Sequence, residues 1–267
     1  MIKDERLDVM LVKKNIFPSR ERARESVLKG EIYVDKIKVT KCGKKISQEA
    51  ILEFKGEPLK YVSRGGLKLE KALDSFSIDL NKKICADIGA STGGFTDCMI
   101  KYGAEKVFAL DVGTSQLSSE LLGNHKVISC ENTNVKELVP GFFGENMDFC
   151  SIDVSFISLT KVLPYVLNIM KHSGEIVALI KPQFEAGRGN LNKQGVVKNK
   201  SVHSKIIEDV LDTCKALNLS VLNFDYSPIK GPNGNIEYLI HLSLSEKENT
   251  MTIEKISNRV DVAFQVL

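Results

Sequence analysis

Read for the spacing of its apolar residues, the chain changes character once, near Gly56-Glu57-Pro58. Before that point the elements are short. Leu7, Met10 and Leu11, with Ile16 and Phe17 after a turn, predict a brief amphipathic helix. Pro18-Ser19 reads as the start of a second helix, with Ser19 as its cap and Glu21 in the positive first turn. Ala23, Val27 and Leu28 form its apolar stripe, and Gly30 ends it. Arg20 and Arg24, four apart, share an exposed face. A β segment over 32–39 turns at Asp35-Lys36, and 51–54 reads as another strand.

From Ser63 onward strands and helices alternate. Leu67, Leu69, Ala72, Leu73 and Phe76 predict a helix over 67–76. Strands are expected at 83–88, 106–111, 126–130, 148–153, 175–181, 219–226 and 237–244, and helices at 95–102, 115–122, 159–171 and 202–217. Strands separated by helical stretches imply a parallel sheet with helices on both faces. The last two strands are joined by the turn-rich stretch 228–235 and should pair antiparallel, and Ile253, Ile256, Val260 and Phe264 suggest a terminal helix. The expected fold is α/β: a small α+β module over 1–58, a linker over 59–64, a Rossmann-like domain over 65–245 with a mostly parallel sheet and an antiparallel last strand, and a tail over 246–267.

Charge sharpens this division. Residues 1–60 hold 15 Lys and Arg against 10 Asp and Glu, a net of +5, while the remainder is at −2. A basic end on a near-neutral body suggests an anionic partner for that end, although a merely solvated charged module fits the charge equally well. No stretch approaches the ~18 continuous apolar residues of a membrane span, and Met1-Ile-Lys-Asp-Glu-Arg6 has no apolar secretory core, so a cytoplasmic protein is expected. The six cysteines form no Cys-x-x-Cys pair, so buried free thiols are expected and no metal site is.

The strongest motif is Asp87-Ile-Gly-Ala-Ser-Thr-Gly-Gly94, between a strand and a helix. In an open parallel sheet, ligands bind at that carboxyl edge. Asp111 ends the next strand, where a carboxylate can accept the hydroxyls of an adenosine ribose. S-adenosylmethionine and a dinucleotide both fit such a site. The loop reads Gly-x-x-x-Gly-Gly, not G-x-G-x-x-G, and Asp87 suits a cationic ligand better than a pyrophosphate. S-adenosylmethionine is therefore the expected cofactor, with Asp87, Gly89, Ala90, Ser91, Gly93, Gly94, Asp111, Val112 and Asn134 as candidate contacts.

Four charged residues stand where burial would be costly. Lys68 lies on the helix before the first strand, Asp153 and Lys181 follow apolar strand runs, and Glu237 begins the last strand. Charges in such places are usually paired or functional. A ribose hydroxyl is a weak acid and needs a positioned base when it attacks a sulfonium methyl. Lys181 is the expected base, oriented by Asp153, with Lys68 and Glu237 completing a coupled network.

These stretches, Ser63-Arg-Gly-Gly-Leu-Lys68, Asp87 to Gly94, Asp153-Val-Ser-Phe156, Lys181-Pro-Gln-Phe-Glu185 and Pro228 to Glu237, resemble the TlyA family over roughly residues 4–244. The family comprises bacterial rRNA 2′-O-methyltransferases also labelled hemolysin A, with an FtsJ-like catalytic domain behind an S-four-like RNA-binding domain. The resemblance implies methylation of cytidine ribose in rRNA of one or both ribosomal subunits. It also implies a Lys-Asp-Lys-Glu tetrad, which falls on Lys68, Asp153, Lys181 and Glu237. Some members carry Arg-x-Trp-Val in the linker where this chain has Leu59-Lys-Tyr-Val62.

Candidate phosphate contacts are Arg6, Lys13, Lys14, Arg20, Arg22, Arg24, Lys36, Lys38 and Arg64. Tyr33 and Phe17 could stack on a base, with core packing the simpler reading. Two other readings stay open. One is a non-catalytic rRNA-binding or ribosome-assembly protein, against which the glycine loop, Asp111 and the four charges argue. The other is a membrane-active hemolysin, which should show an export signal or membrane-fit amphipathic elements.

Overall fold

The computed structural model describes residues 4–14, 16, 17, 20–56, 60–245, 247 and 250–267. The expected helix start at Pro18-Ser19, the boundary residues Glu57 and Pro58, and Leu59 lie outside these, as does the Glu21 side chain. The chain divides into two compact units, residues 1–59 and 60–267.

In the first unit β1 (Glu5–Arg6), α1 (Leu7–Lys13) and α2 (Arg20–Lys29) precede β2 (Ile32–Val34), β3 (Ile37–Val39), β4 (Lys45–Ile46) and β5 (Leu52–Phe54). β2 is the centre of a three-stranded antiparallel sheet between β3 and β5. Asp35 and Lys36 both take positive φ, 49° and 67°, the backbone of a two-residue hairpin whose twist matches its strands. β1 and β4 pair as a two-residue ribbon that no periodicity could announce. Leu7, Leu11, Phe17, Ala23, Val27 and Ile32 form the core, with Phe17 edge-on to Phe54. Phe17 is thus a packing residue. The expected stripe on α2 is corrected: its buried face is Arg22, Ala23, Ser26 and Val27, while Leu28 is 61% exposed.

The second unit runs α3 (Gly65–Phe76), β6 (Ile84–Ile88), α4 (Gly94–Lys101), β7 (Lys106–Leu110), α5 (Ser119–Leu122), β8 (Val127–Cys130), β9 (Met147–Ile152), α6 (Leu159–Val166), β10 (Met170–Ile180), α7 (Pro182–Glu185), α8 (Lys200–Ala216), β11 (Ser220–Tyr226), β12 (Tyr238–Ser243) and α9 (Ile253–Val266). Its seven-stranded sheet has the order β11-β12-β10-β9-β6-β7-β8. β12 alone runs against its neighbours. Alternate side chains of β6, β9 and β10 enter opposite cores. Ala86, Cys150 and Ile176 join the layer of α6, α8 and α9, while Cys85, Phe149 and Val177 face Leu69 of α3 and Met99 of α4. This two-sided burial is why these strands read as apolar runs.

Two expected helices are shorter than their patterns suggest. The helix expected over 115–122 begins only at Ser119. Ser115 takes φ 54°, and the N–H groups of Ser115, Gln116 and Leu117 donate to the Glu131 carboxylate at 2.7, 3.0 and 3.4 Å, which satisfies them without a helix. The helix expected over 159–171 ends at Val166, passes through one 3-10 turn and becomes β10 at Met170, which pairs with Met147 of β9. Among the described residues, all six cysteines are free and Cys85, Cys98, Cys150 and Cys214 are buried.

Candidate active site

Chain order sets where a ligand can sit. From β6 the sheet grows to β7 and β8 on one side, and the chain then returns to place β9 on the other. The carboxyl ends of β6 and β9 therefore flank the point where strand order reverses, where an open sheet leaves a crevice. The backbone joins them there: Asp153 N–H donates to Ile88 O at 2.9 Å. Gly89 has φ 86°, and a Cβ on it would stand 2.7 Å from the Asp153 carbonyl oxygen. A side chain at 89 would push apart the two strand ends that carry the loop and the acid.

The glycine loop continues through Ala90, buried against Leu117 and Leu121, and Ser91, exposed with φ 49°. Gly93 has φ 92°, and its missing Cβ leaves room for Leu121 Cδ1. Gly94 packs without a Cβ against Ser63 Oγ and the Gly66 backbone, letting the first turns of α3 and α4 meet. Asp111 binds the loop from the next strand: its two oxygens accept from Ser91 N–H and Gly113 N–H, both at 2.8 Å. Beside it, Val112 is 66% exposed. Asn134 is exposed, and its side chain caps a 3-10 turn by accepting from Lys136 N–H. Asp87 lies beneath the loop. It is 1% exposed, and its oxygens accept from Thr96 Oγ1 at 2.7 Å and Ser151 Oγ at 3.0 Å. Burial pushes its carboxyl up to about 7, against the pull of these two hydroxyls. Asp87 therefore supports the loop from beneath and offers the crevice no free oxygen.

All four expected tetrad residues converge. Lys181 Nζ lies 2.5 Å from Asp153 Oδ1, and Lys68 Nζ lies 2.6 Å from Glu237 Oε2 and 4.0 Å from Asp153 Oδ2. β12 explains how a residue at a strand's start joins residues at strand ends: it is antiparallel, with Tyr238 opposite Ile180 of β10, so Glu237 and Lys181 follow at the same edge. Burial works against the Lys68 charge, but the carboxylates of Asp153 and Glu237 outweigh it and hold the ammonium above the ordinary lysine range. Burial likewise opposes the Asp153 carboxylate, and Lys68 and Lys181 reverse that, leaving it below its ordinary value. Glu237 is fully buried, with Gln183 Nε2 donating to its second oxygen at 3.2 Å.

Residues outside the expected set surround this network. Lys181 Nζ also donates to Ser155 Oγ at 3.3 Å. Phe156 is 91% exposed, takes φ 64° and leans on Phe184 at 5.1 Å between ring centroids. A bulky residue rarely holds a positive φ without cause. An apolar residue after Asp153 looked like ordinary sequence, and only its exposure distinguishes it.

The candidate phosphate contacts divide by environment. In the first unit Arg6 and Arg20, both largely exposed, share Asp8 at 2.9 and 3.0 Å. The Arg6 hydrogen bond, with help from Arg20, pulls the Asp8 carboxyl down to about 2 against its burial. Lys13 pairs with Glu5 at 2.7 Å, and Lys14 Nζ donates to Ala50 O at 3.0 Å. Arg24, Lys36 and Lys38 are exposed. Arg22 is a correction: it is 9% exposed, on the inner face of α2 with Glu25 at 3.4 Å. Tyr33 is half-buried under Lys55, whose Nζ lies 4.4 Å from the ring centroid. In the second unit Arg64 is exposed at the start of α3, and the adjoining Tyr61 is buried, its hydroxyl donating to Glu70 at 2.8 Å. Among the described residues no helix is long and apolar enough to cross a membrane, and no group of three His, Cys, Asp or Glu is placed to hold a metal ion.

Comparison with known proteins places the two units in families. Residues 61–244 match the FtsJ-like methyltransferase family and residues 5–52 the S4 domain. A Mycobacterium tuberculosis protein named 16S/23S rRNA (cytidine-2′-O)-methyltransferase TlyA is 35% identical over 91% of this chain and 91% of its own length. A Brachyspira hyodysenteriae protein named Hemolysin A is 42% identical over 88% of this chain and 98% of its own. A solved structure from Streptococcus thermophilus, labelled a hemolysin, is 42% identical and superposes with a TM-score of 0.80 over 99% of this chain and 97% of its own.

Proposed function

The chain belongs to the FtsJ-like methyltransferase family, among the TlyA and Hemolysin A proteins, and on that premise we propose that it transfers the methyl group of S-adenosylmethionine to the ribose 2′-hydroxyl of a cytidine in ribosomal RNA. The observation that carries the reading is the contiguous Lys181–Asp153–Lys68–Glu237 network at the carboxyl edge of β6 and β9, beside the glycine loop.

The residues present fit the cofactor. Each Asp111 oxygen keeps a lone pair beyond the backbone N–H it accepts, enough for two ribose hydroxyls. Val112 offers an exposed apolar side chain beside it for a purine face. Asp153 keeps its negative charge at the crevice, and Asp87, raised by burial to about 7, adds to it only as it ionises. S-adenosylmethionine supplies, when bound, a methyl group made electrophilic by a sulfonium.

The chain's own residues then hold the acceptor and manage its proton. Asp153 pairs with Lys181 Nζ, and Ser155 accepts an N–H from it, so an uncharged amine is held at this edge with a lone pair to which a 2′-hydroxyl can give up its proton. With Lys181 uncharged the four side chains sum to −1, which suits a cationic cofactor; taking the proton returns them to neutrality. Phe156 provides a face on which the base of an unstacked nucleotide can lie. The basic S4 unit, residues 1–58 with 59–64 as linker, contributes salt-dependent affinity for RNA phosphates. The protein works in the cytoplasm, on ribosomal subunits.

The test is transfer of labelled methyl from S-adenosylmethionine to purified ribosomal subunits. Wild type should label a ribose that resists alkaline cleavage, and Lys181→Ala should lower the rate at least ~100-fold, the low end for losing a positioned base. No incorporation by folded wild type into subunits or free rRNA would refute the reading.

A further inference from the structure

The short segment after β10 is tied into the active site at more points than its base alone requires. Within Lys181-Pro-Gln-Phe-Glu185, Lys181 holds Asp153 and Ser155, Gln183 donates to Glu237, and Phe184 supports Phe156. Glu185 is the last of these ties, and it uses both oxygens. One oxygen accepts from Ser158 Oγ at 2.6 Å and the other from the backbone N–H of Leu159 at 2.7 Å.

Ser158 and Leu159 open α6, the helix that follows the Asp153–Ile157 loop. That loop bears the acid, the hydroxyl on Lys181 and the exposed aromatic. Its near end is fixed to β6 through Asp153 N–H. Its far end meets Lys181's own segment only through Glu185 among the hydrogen bonds of the described residues. The first turn of a helix also leaves backbone N–H groups without helical partners. Ser158 covers one by accepting from Thr160 N–H, and Glu185 covers the neighbouring one.

We propose that Glu185 is a positioning residue for methyl transfer: a carboxylate clamp that fixes the start of α6 to the Lys181 segment and so sets Asp153, Ser155 and Phe156 against the base. The clamp rests on the catalytic reading above. Glu185 touches none of the tetrad, so its effect passes through the loop. The cofactor contacts on β6 and β7 lie outside its reach, and cofactor affinity should not depend on it. An amide can replace the carboxylate, because its oxygen accepts from Leu159 N–H while its NH2 donates to Ser158 Oγ, whose hydroxyl then turns to Thr160 Oγ1 at 2.6 Å.

The experiment compares the full chain with Glu185→Ala, Glu185→Gln and Glu185→Asp. It measures steady-state methyl transfer to ribosomal subunits, S-adenosylmethionine affinity by calorimetry, and backbone amide exchange. Glu185→Ala should lower kcat about 10- to 100-fold, the range for misplacing reacting groups by up to ~1 Å. Cofactor affinity should stay within about twofold, well under the tenfold that ~1.4 kcal/mol would produce. Leu159 N–H exchange should accelerate while amides of 84–88 hold. Glu185→Gln should restore kcat, and Glu185→Asp, one methylene short, should lose most of it. Wild-type kcat in Glu185→Ala, unchanged Leu159 exchange, or equal loss in the Gln variant would overturn the clamp. If Glu185→Ala does not fold, wild-type kcat and exchange in Glu185→Asp would overturn it as well. A wild type without methyl transfer, whose Leu159 exchange still responds to Glu185, would defeat the catalytic reading and uphold the contact.

Discussion

At the scale of single residues, environment reassigns the work of side chains that look equivalent in sequence. Asp111 and Asp153 each follow an apolar strand, and Asp87 is the next-to-last residue of one. Asp111 stays open to the crevice, Asp153 is held between the Lys68 and Lys181 side chains, and Asp87 is sealed under the loop by Thr96 and Ser151. The last has a consequence for stability. Burial raises the Asp87 carboxyl from 3.8 to about 7. A neutral Asp87 therefore favours the folded state fully below pH 3.8, and this contribution is lost as pH rises through 7. Asp87→Asn can keep both hydroxyl contacts and does not ionise. Its melting temperature without cofactor should match wild type near pH 4 and exceed it above pH 7. Its cofactor affinity should be weaker and independent of pH between 6 and 8, where wild-type affinity rises as Asp87 ionises against a cation. Parallel pH curves for the two proteins would show that Asp87 does not titrate in this range.

Among elements, the decisive contacts are between strand ends and the loops that follow them. The Gly89 loop and the Asp153 loop meet backbone to backbone, at a φ that a side chain tolerates poorly. Gly89→Ala should cost at least ~1 kcal/mol, since an alanine at positive φ is strained even before the contact with the Asp153 carbonyl is counted. For a domain of this size that is a drop of about 2–4 °C in melting temperature. Cofactor affinity and methyl transfer should fall together, because one displacement moves both the loop and the acid. A variant with reduced activity and unchanged melting temperature would argue against the clash. α9 belongs to this scale too. Ile256, Val260 and Ala263 lie in the same core layer as α8, so the terminal helix is a structural part of the second unit.

The molecule as a whole divides its tasks between a basic unit and a catalytic one. If exposed cations of the first unit bind phosphates, RNA affinity should fall steeply with salt. Removing Arg24 and Lys38 together should lower the salt slope by roughly 0.7–0.9 for each phosphate that is no longer neutralised. Cofactor affinity and the pH profile of kcat should not change, because neither residue belongs to the crevice. Filter binding of ribosomal RNA from low to moderate salt checks this. An unchanged slope would place the RNA-binding charges elsewhere. Arg22 should contribute nothing to that slope, since its guanidinium is buried beside Glu25.

Much of this protein is written in short-range pattern. The two-sided burial of β6, β9 and β10 leaves apolar runs, the amphipathic faces of α3 and α8 leave spaced ones, and the glycine loop and the four tetrad charges stand out because each follows or interrupts such a run. Local preference and periodicity reach only a few residues, so what depended on distant partners was not legible. Whether α2 turns Arg22 or Leu28 inward was settled by packing in its own unit, and whether 115–118 coils was settled by Glu131. That Lys68 meets Glu237, 169 residues away, follows from an antiparallel last strand inserted beside β10. Phe156 and Glu185 carry no local signal of their roles. Exposure, and the acceptors and donors brought to a side chain, are properties of the assembled sheet edge, and only the tertiary structure decides them.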